Sequence, residues 1–248
     1  EISDRAITLI NIPITDDALF YGTASGTGDI NVSGFGPVLE IDASLTTGEG
    51  TDFALPMDSQ SDVDYVDFVR FKKSSTDIET PAIPRGTFSN TRINLGIDVE
   101  NGAQARIVFN RKVGDEIVGK ATGHLDLEVN DFEQLDMTGN LEITEGAYHF
   151  TLQNWFNKRF DIQPGSTVSW EGDPYDAHLN VATTYTTRAS LDPLLPETDD
   201  LPGRIPVDLQ LQLNGLLRRP GLDFNVAVPT ADSRIQALVE GALVSEEE

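Results

Sequence analysis

The chain has 248 residues, 39% of them hydrophobic, and a net charge of −24 from 17 basic and 41 acidic residues. That acidity argues against binding to phosphate backbones of nucleic acids, and the absence of cysteine excludes disulfides, thiolate metal sites and cysteine nucleophiles. No run approaches the roughly 18 apolar residues of a membrane-spanning helix, and the length suits one all-β domain, residues 1–248. The first residues lack the basic and apolar regions of a signal peptide, so we expect a mature piece or an excised segment.

Apolar residues alternate with polar ones along most of the sequence, which is the pattern of β-strands with one wet face. Charged residues are nearly absent from the apolar sets. The inward-facing positions that we predict are Ile93, Leu95, Ile97, Ile107, Phe109, Leu125, Leu127, Leu141, Ile143, Val168, Trp170, Leu179, Val181, Val207, Leu209, Leu211, Leu213, Phe224 and Val226.

The first turn signal along the chain is Asn101-Gly102, which is typical of β-hairpins. A three-residue loop over 100–102 would pair Val99 with Ala103 and keep the apolar faces together, whereas a two-residue loop would mix the faces. We therefore predict a hairpin with a three-residue loop here.

Two further turn sequences predict four-residue hairpin loops, at residues 172–175 and 218–221. In the first loop, Asp173 and Pro174 suit the opening positions of a type I turn. Such short loops join antiparallel neighbours, since parallel strands need long crossovers. The two loops would pair Val168 with Leu179, Trp170 with Ala177 and Leu213 with Val226.

Two stretches depart from the strand pattern. Residues 186–203 contain three prolines and no clean period, which predicts a long loop. Residues 233–244 place their apolar residues on one helical stripe, and Ser233 with Gln236 could form a capping box. We expect a short helix near the end of the chain.

Candidate catalytic and metal-binding residues are few. His124, His149 and His178 each lie in a strand pattern without a second histidine nearby, and we interpret them as surface or satisfied strand residues. The acidic run 58–67 lacks the central glycine and terminal glutamate of a calcium loop, so we expect a solvated loop there. No nucleophile elbow or phosphate loop is present. We expect no enzyme activity, no metal and no cofactor.

Trp170 allows two interpretations: a core tryptophan beside a turn, or the lining of an apolar surface that is open to a ligand. The same choice applies to the other inward residues. A closed β-sandwich would bury these faces against each other, whereas a curved, open sheet would leave a trough.

Three segments, residues 141–150, 160–185 and 206–229, are similar to the carboxy-terminal domain of the TamB family, a component of the translocation and assembly module of Gram-negative envelopes. Thr183 stands where the family usually has alanine, and residues 46–57 resemble TamB proteins of the Bacteroidota type. The shared positions are Gly146, Ala147, Tyr148, Phe160, Ile162, Pro164, Gly165, Ser166, Trp170, Gly172, Asp173, Pro174, Ala177, Leu179, Tyr185, Pro206, Val207, Gly215, Pro220, Phe224 and Pro229.

This resemblance implies a β-taco, an elongated, curved, mostly antiparallel sheet that folds into a U-shaped hydrophobic groove. Full-length family members are anchored in the inner membrane, cross the periplasm and act with a TamA-type outer-membrane barrel. They serve outer-membrane biogenesis by delivering phospholipid and some outer-membrane proteins. The resemblance therefore implies a periplasmic lipid conduit, with the inward residues given above as the groove for phospholipid acyl chains.

Two other functions stay open on the sequence. The chain could be an assembly module that pairs with strands of outer-membrane β-barrel proteins through its sheet edges, or a closed sandwich that binds glycan or serves as a scaffold. The near absence of inward charges favours the first two functions over the third. Exposed edges recruit partners, so we also predict self-association through an edge strand, or an edge that the terminal helix covers.

Overall fold

A computed structural model describes residues 7–15, 20–35, 38–57, 90–100, 102–130, 134–152, 156–195 and 203–245. These residues form a single sheet of thirteen strands and one α-helix, α1 (Ser233–Ser245). The strands are β1 (Ile7–Ile12), β2 (Tyr21–Phe35), β3 (Val38–Thr47), β4 (Asp52–Pro56), β5 (Asn90–Val99), β6 (Gln104–Asn110), β7 (Asp115–Asn130), β8 (Gln134–Leu152), β9 (Phe156–Ile162), β10 (Thr167–Gly172), β11 (His178–Ala189), β12 (Ile205–Leu216) and β13 (Gly221–Ala227).

The thirteen strands occupy ten positions across the sheet, because three positions hold two consecutive strands each. The order is β1, β2, β3 with β4, β5 with β6, β7, β8, β9 with β10, β11, β12 and β13. Neighbours are antiparallel except for β3 with β5 and β4 with β6, which are parallel. The prediction of an all-β, curved, mostly antiparallel sheet that forms a U-shaped groove, with a short C-terminal helix, is confirmed.

The predicted hairpin at residues 100–102 is wrong. Strands β5 and β6 run in the same direction along one side of β7, which places Ile97 opposite Leu125 and Ile107 opposite Ile117. The 16-residue β7 is long enough to pair with both strands. Strands β5 and β6 therefore occupy one long strand position beside β7 and do not form a hairpin with each other.

Interruptions of this kind line up across the sheet. They separate β3 from β4, β5 from β6 and β9 from β10, and β8 carries one extra residue, Thr144, opposite β7. We call these four segments the crease. The Gln104 N–H donates to the Thr51 carbonyl (2.9 Å), which places two of the segments side by side. Bulges bend the strand that carries them, so aligned interruptions bend the whole sheet.

Hydroxyl groups close the gaps that the crease leaves in the backbone ladder. The Thr51 hydroxyl accepts from the Ser25 N–H (3.1 Å) and donates to the Ser25 carbonyl (3.0 Å). Ser166 does the same work in the C-terminal part, where its hydroxyl accepts from the Ala182 N–H (3.1 Å) and donates to the Gln163 carbonyl (2.7 Å). Thr51 and Ser166 are both buried, which explains why each needs its hydrogen bonds satisfied.

The predicted loop at 172–175 is confirmed in its register, since Val168 lies opposite Leu179. The loop at 218–221 is wrong by four residues, because Leu213 lies opposite Leu222 instead of Val226. Four is an even number, so the faces still agree. The reversal lies in the longer segment 215–220, where Gly215 adopts a left-handed φ of 85° and Leu217 turns into the core.

One boundary and one helix cap differ from the sequence prediction. The long loop begins at residue 190 instead of 186, because Thr186 to Ala189 continue β11 and pair with β12. Helix α1 begins as predicted, but its cap is Asp232, whose carboxylate accepts from the Ile235 N–H (2.9 Å). Ser233 and Gln236 do not form the predicted box, since the Gln236 amide donates to the Ala231 carbonyl (3.0 Å). The acidic run 58–67 lies outside the described residues.

Candidate binding groove

The inward residues form continuous rows across the strands. Ile107, Ile117, Tyr148 and Phe160 are successive register partners on β6, β7, β8 and β9. Tyr185, Leu209 and Val226 continue the row on β11, β12 and β13. The rings of Phe160 and Tyr185 join the two parts, with centroids 5.9 Å apart. One apolar surface therefore runs across seven strands of the sheet, and we call this inward face the groove.

Part of the groove is closed by its own side chains. Val181 and Leu213 are 0% exposed and Trp170 is 8% exposed. We call this part the sealed region, and its residues are Leu125, Leu141, Ile143, Val168, Trp170, Leu179, Val181, Leu211 and Leu213. The core interpretation of Trp170 is correct, because its indole N–H donates to the Pro174 carbonyl (3.0 Å) in the neighbouring turn.

Two loops cover the sealed region at its end. Leu217 is 1% exposed, and its N–H donates to the Ala177 carbonyl (2.7 Å). The Arg218 guanidinium holds Asp173 (2.8 Å) and Asp176 (2.6 Å), and it lies 5.7 Å from the centroid of the Tyr175 ring. We call Arg218 with Asp173 and Asp176 the clasp, because these ion pairs hold the two loops together and close this end of the groove.

Helix α1 forms a second apolar cluster near the other end of β12 and β13. Ile235 and Val239 from the helix pack with Val207 and Val228, and Val226 packs against their edge. Two predicted groove residues, Val207 and Val226, thus lie under the helix instead of in the main core. Helix α1 contacts β13, the last strand of the sheet, and self-association through an edge stays a prediction.

Aromatic rings crowd the groove where β6 and β8 end and β7 and β9 begin. Phe150 contacts the rings of Tyr148, Phe156 and Phe160 at centroid distances of 5.6, 6.0 and 6.2 Å. It also contacts Phe224 of β13 at 5.8 Å, although β9, β11 and β12 separate the two strands in the sheet. That contact shows that the sheet curls back on itself here. Phe224 is half exposed all the same.

The remaining inward residues are less covered. We call Ile93, Leu95, Ile97 and Leu127 the open region, because each is only partly buried. On the same face, β2 presents apolar side chains to solvent, with Ile30 40% and Val32 61% exposed. Ile107, Phe109 and Leu209 are also partly buried and pack against the main core. The groove is therefore open toward the β2–β3 hairpin.

Charged groups lie mostly on the opposite, outer face. Arg106 pairs with Asp52 on that face, and the hydrogen bond to Asp52 raises the pKa of the arginine. The His124 ring lies 2.7 Å from Asp98 and 3.3 Å from Asp126, and hydrogen bonds to these two carboxylates raise its pKa. In the described part of the chain, no three His, Asp or Glu residues cluster as a metal site.

Two candidate functional residues are not among the inward residues that the sequence predicted. Asp115 and Lys158 occupy inward positions of β7 and β9, on the same sides as Ile117 and Phe160. Alternation counted back from the predicted inward residue Leu125 reaches Asp115 on the same face. The sequence therefore carries the signal for Asp115, although a set made of apolar positions alone does not include this residue.

A family model described as the TamB C-terminal domain matches residues 3–246. No curated protein matches the chain. The described residues include no helix whose length and hydropathy would let it cross a bilayer. TamB proteins are envelope-spanning components of the translocation and assembly module and associate there with TamA. Because the match covers nearly the whole sequence and the sheet has the β-taco architecture that the resemblance implied, this chain belongs to the TamB family.

Proposed function

We propose that this chain is a non-enzymatic, periplasmic lipid-conduit module of a TamB-like bridge between the inner and outer membranes. In this proposal the groove shields phospholipid acyl chains from water. The observation that carries it is that apolar and charged side chains lie on opposite faces of the sheet. The inward face is apolar and stays open at Leu95 and Ile97, and the outer face holds nearly all the charged residues of the strands.

The energetics support acyl chains as the occupant. Burying one methylene group is worth about 0.8 kcal/mol, so a sixteen-carbon chain gains on the order of 10 kcal/mol before its ordering entropy is subtracted. The exposed Ile30 and Val32 mark the side where a chain would continue beyond the open region. Apolar contacts of this kind have no fixed geometry, so a chain can slide along them and leave.

The test uses a photo-crosslinking amino acid at paired positions on one strand. Leu95 lies inward in β5, and the Asn94 amide donates to Asp42 (2.8 Å) on the outer face. We expect capture of phospholipid from position 95 and none from position 94 in cells. Positions 209 and 210 form the same pair on β12, where the Asn225 amide donates to Gln210 (2.9 Å) on the outer face.

A substitution adds an activity measurement to the crosslinks. Leu209→Arg places a charge in the row between Tyr185 and Val226. Leu209 is partly buried, so the long arginine stem can carry its guanidinium to water and leave the fold largely intact. We expect lower lipid occupancy and weaker envelope function, while Gln210→Arg changes neither. Equal lipid capture at positions 209 and 210 would contradict the conduit.

A second candidate function is an assembly module for outer-membrane β-barrel proteins that works with a TamA-type barrel. The observation in its favour is that β1 and β13 end the sheet in the described residues, and such edges offer unpaired backbone groups to an incoming strand. This function predicts that positions 95 and 209 capture polypeptide instead of lipid.

A further inference from the structure

Two opposite charges face the interior of the groove. In the described strands, alternation places Asp115 and Lys158 inward, and it places every other Asp, Glu, Lys and Arg outward. A charge on an apolar face costs free energy unless it meets a partner. The two residues therefore need an explanation that the apolar lining does not supply.

The two charges lie in the same cross-strand row. Phe150 is the register partner of Lys158, and Asp115 lies opposite Phe150 because Glu116 pairs with His149 one residue earlier. Strands lie about 4.8 Å apart, so the two backbones are separated by roughly 10 Å with the Phe150 ring between them. Asp115 is the first residue of β7, which places the row at the rim of the groove.

Neither charge has a protein counter-ion among the described residues. The Tyr148 hydroxyl donates to the Asp115 carboxylate, but the other carboxylate oxygen, Oδ1, is buried without a hydrogen-bond partner. The Lys158 ammonium lies 5.4 Å from the centroid of the Tyr185 ring, and no carboxylate of the described residues pairs with it. Burial raises the pKa of Asp115, which agrees with a carboxyl that lacks a cationic neighbour.

We propose that this rim binds the head group of a zwitterionic phospholipid that carries a primary ammonium. The inference rests on the lipid-conduit function proposed above. The lipid ammonium lies beside the Asp115 carboxylate, which is partly buried at the rim, and its positive charge matches that group. Lys158 binds the phosphate as a point charge. The acyl chains lie over Phe109 and Phe224, which contact Tyr148 and Phe150 and keep part of their own surface exposed.

The test measures lipid preference by native mass spectrometry of this chain. The protein is offered an equimolar mixture of phosphatidylethanolamine and phosphatidylglycerol with identical acyl chains. Both lipids carry a phosphate, but only the first carries an ammonium. We expect the wild type to retain phosphatidylethanolamine about fivefold over phosphatidylglycerol, the size of one partly exposed charge-assisted hydrogen bond.

Two variants with matched controls separate the roles. Asp115→Asn abolishes the preference, and Glu116→Gln, the same kind of change on the outer face of β7, keeps it. Lys158→Met lowers binding of both lipids without changing their ratio, and Arg159→Met on the outer face of β9 does neither. Water-soluble glycerophosphoethanolamine, which has the head group without chains, does not displace the lipid.

The outcomes are distinct. Both lipids come from one spectrum, so their ratio does not depend on the fraction of each variant that folds. A wild type that binds both lipids equally, or an Asp115→Asn variant that keeps the wild-type preference, overturns the head-group site and leaves the conduit standing. Displacement by glycerophosphoethanolamine assigns the site to a free head group and overturns a lipid site. A wild type that binds no lipid overturns the conduit and this site together.

Discussion

The sealed and open regions of the groove share one sequence pattern but differ in how deeply their side chains are buried. Leu213 and Leu95 both sit in strands where apolar and polar residues alternate, yet Leu213 is completely buried while Leu95 is only partly covered. The two regions differ in the loops that cover them. The sealed region lies beneath the buried Leu217 and the clasp of Arg218 with Asp173, and no comparable loop in the described residues covers Leu95.

This difference teaches that alternation identifies the inward face but does not say how far that face is removed from water. Burial depends on loops and on the curl of the sheet, which bring residues distant in sequence onto the groove. The contact of Phe150 with Phe224 is an example, since the two residues are separated by three strands of the sheet. The sealed region therefore contributes stability, and the open region is free to hold a ligand.

The largest expected effect comes from truncating one leucine in each region. Leu213→Ala creates a cavity among fully buried neighbours and should lower the free energy of unfolding by about 3 kcal/mol. Leu95→Ala removes a partly covered side chain and should cost about 1 kcal/mol. Urea denaturation of the lipid-free proteins measures both values. Equal losses at the two positions would remove the distinction between the regions.

The crease offers the next test, because it crosses both regions. Ser166→Ala leaves the Ala182 N–H without its acceptor and should lower the free energy of unfolding by about 2 kcal/mol. Thr51→Val breaks the equivalent bonds to Ser25 beside the open region and should cost about 1 kcal/mol. Ser169→Ala on the outer face is the control. If Ser166→Ala behaves like this control, the hydroxyl does not hold the crease together.

The clasp should have a smaller effect on overall stability. Arg218 and its two aspartates are considerably exposed, so Arg218→Met should lower the free energy of unfolding by about 0.5–1 kcal/mol. The sharper measurement is hydrogen exchange of the Leu217 amide, which bonds to Ala177. We expect faster exchange in Arg218→Met than in Arg219→Met. Unchanged protection would show that the clasp does not close the sealed region.

The smallest effect concerns pH and the rim. Burial raises the folded-state pKa of Asp115 above its unfolded value. The stability that the neutral carboxyl contributes is therefore complete below the unfolded pKa and is lost as the pH rises through the folded pKa. Asp115→Asn, which cannot ionise, should raise the melting temperature relative to wild type more at pH 8 than at pH 4.

The baseline for this pH comparison is Glu116→Gln, which removes one carboxylate from the outer face of the same strand. The quantity to compare is the melting temperature of each variant minus that of the wild type at the two pH values. A difference for Asp115→Asn that does not change between pH 4 and pH 8 would show that the Asp115 carboxylate is not penalised in the folded state.

The sequence predicted which face of the sheet a residue occupies better than it predicted how the strands are connected. Alternation placed Leu211 and Leu213 inward correctly, and the Gly-Asp-Pro-Tyr loop gave the observed pairing of Val168 with Leu179. The Asn101-Gly102 signal failed because local turn chemistry cannot show that β7 pairs with both β5 and β6. A hairpin forms only where its two strands pair with each other, and here both strands pair with the long β7 instead.

The candidate site shows the same division. All nineteen predicted inward residues came from periodicity, but only tertiary structure separates those that the protein covers from those left for a ligand. The register error at residues 218–221 also has a tertiary cause. Gly215 and the buried Leu217 lengthen the turn, and the longer turn carries the clasp residue Arg218. Alternation along the sequence reaches Asp115 on the inward face, but only the register through Phe150 brings Asp115 and Lys158 into one row.

The most direct test of the central claim, that the groove shields acyl chains, is mass spectrometry of an organic extract of the purified chain. The account predicts stoichiometric phospholipid in the wild type and in Asn94→Arg, and strong depletion in Leu95→Arg, where the charge enters the open region. A folded wild type that carries no phospholipid, or equal lipid content in the two arginine variants, would contradict it.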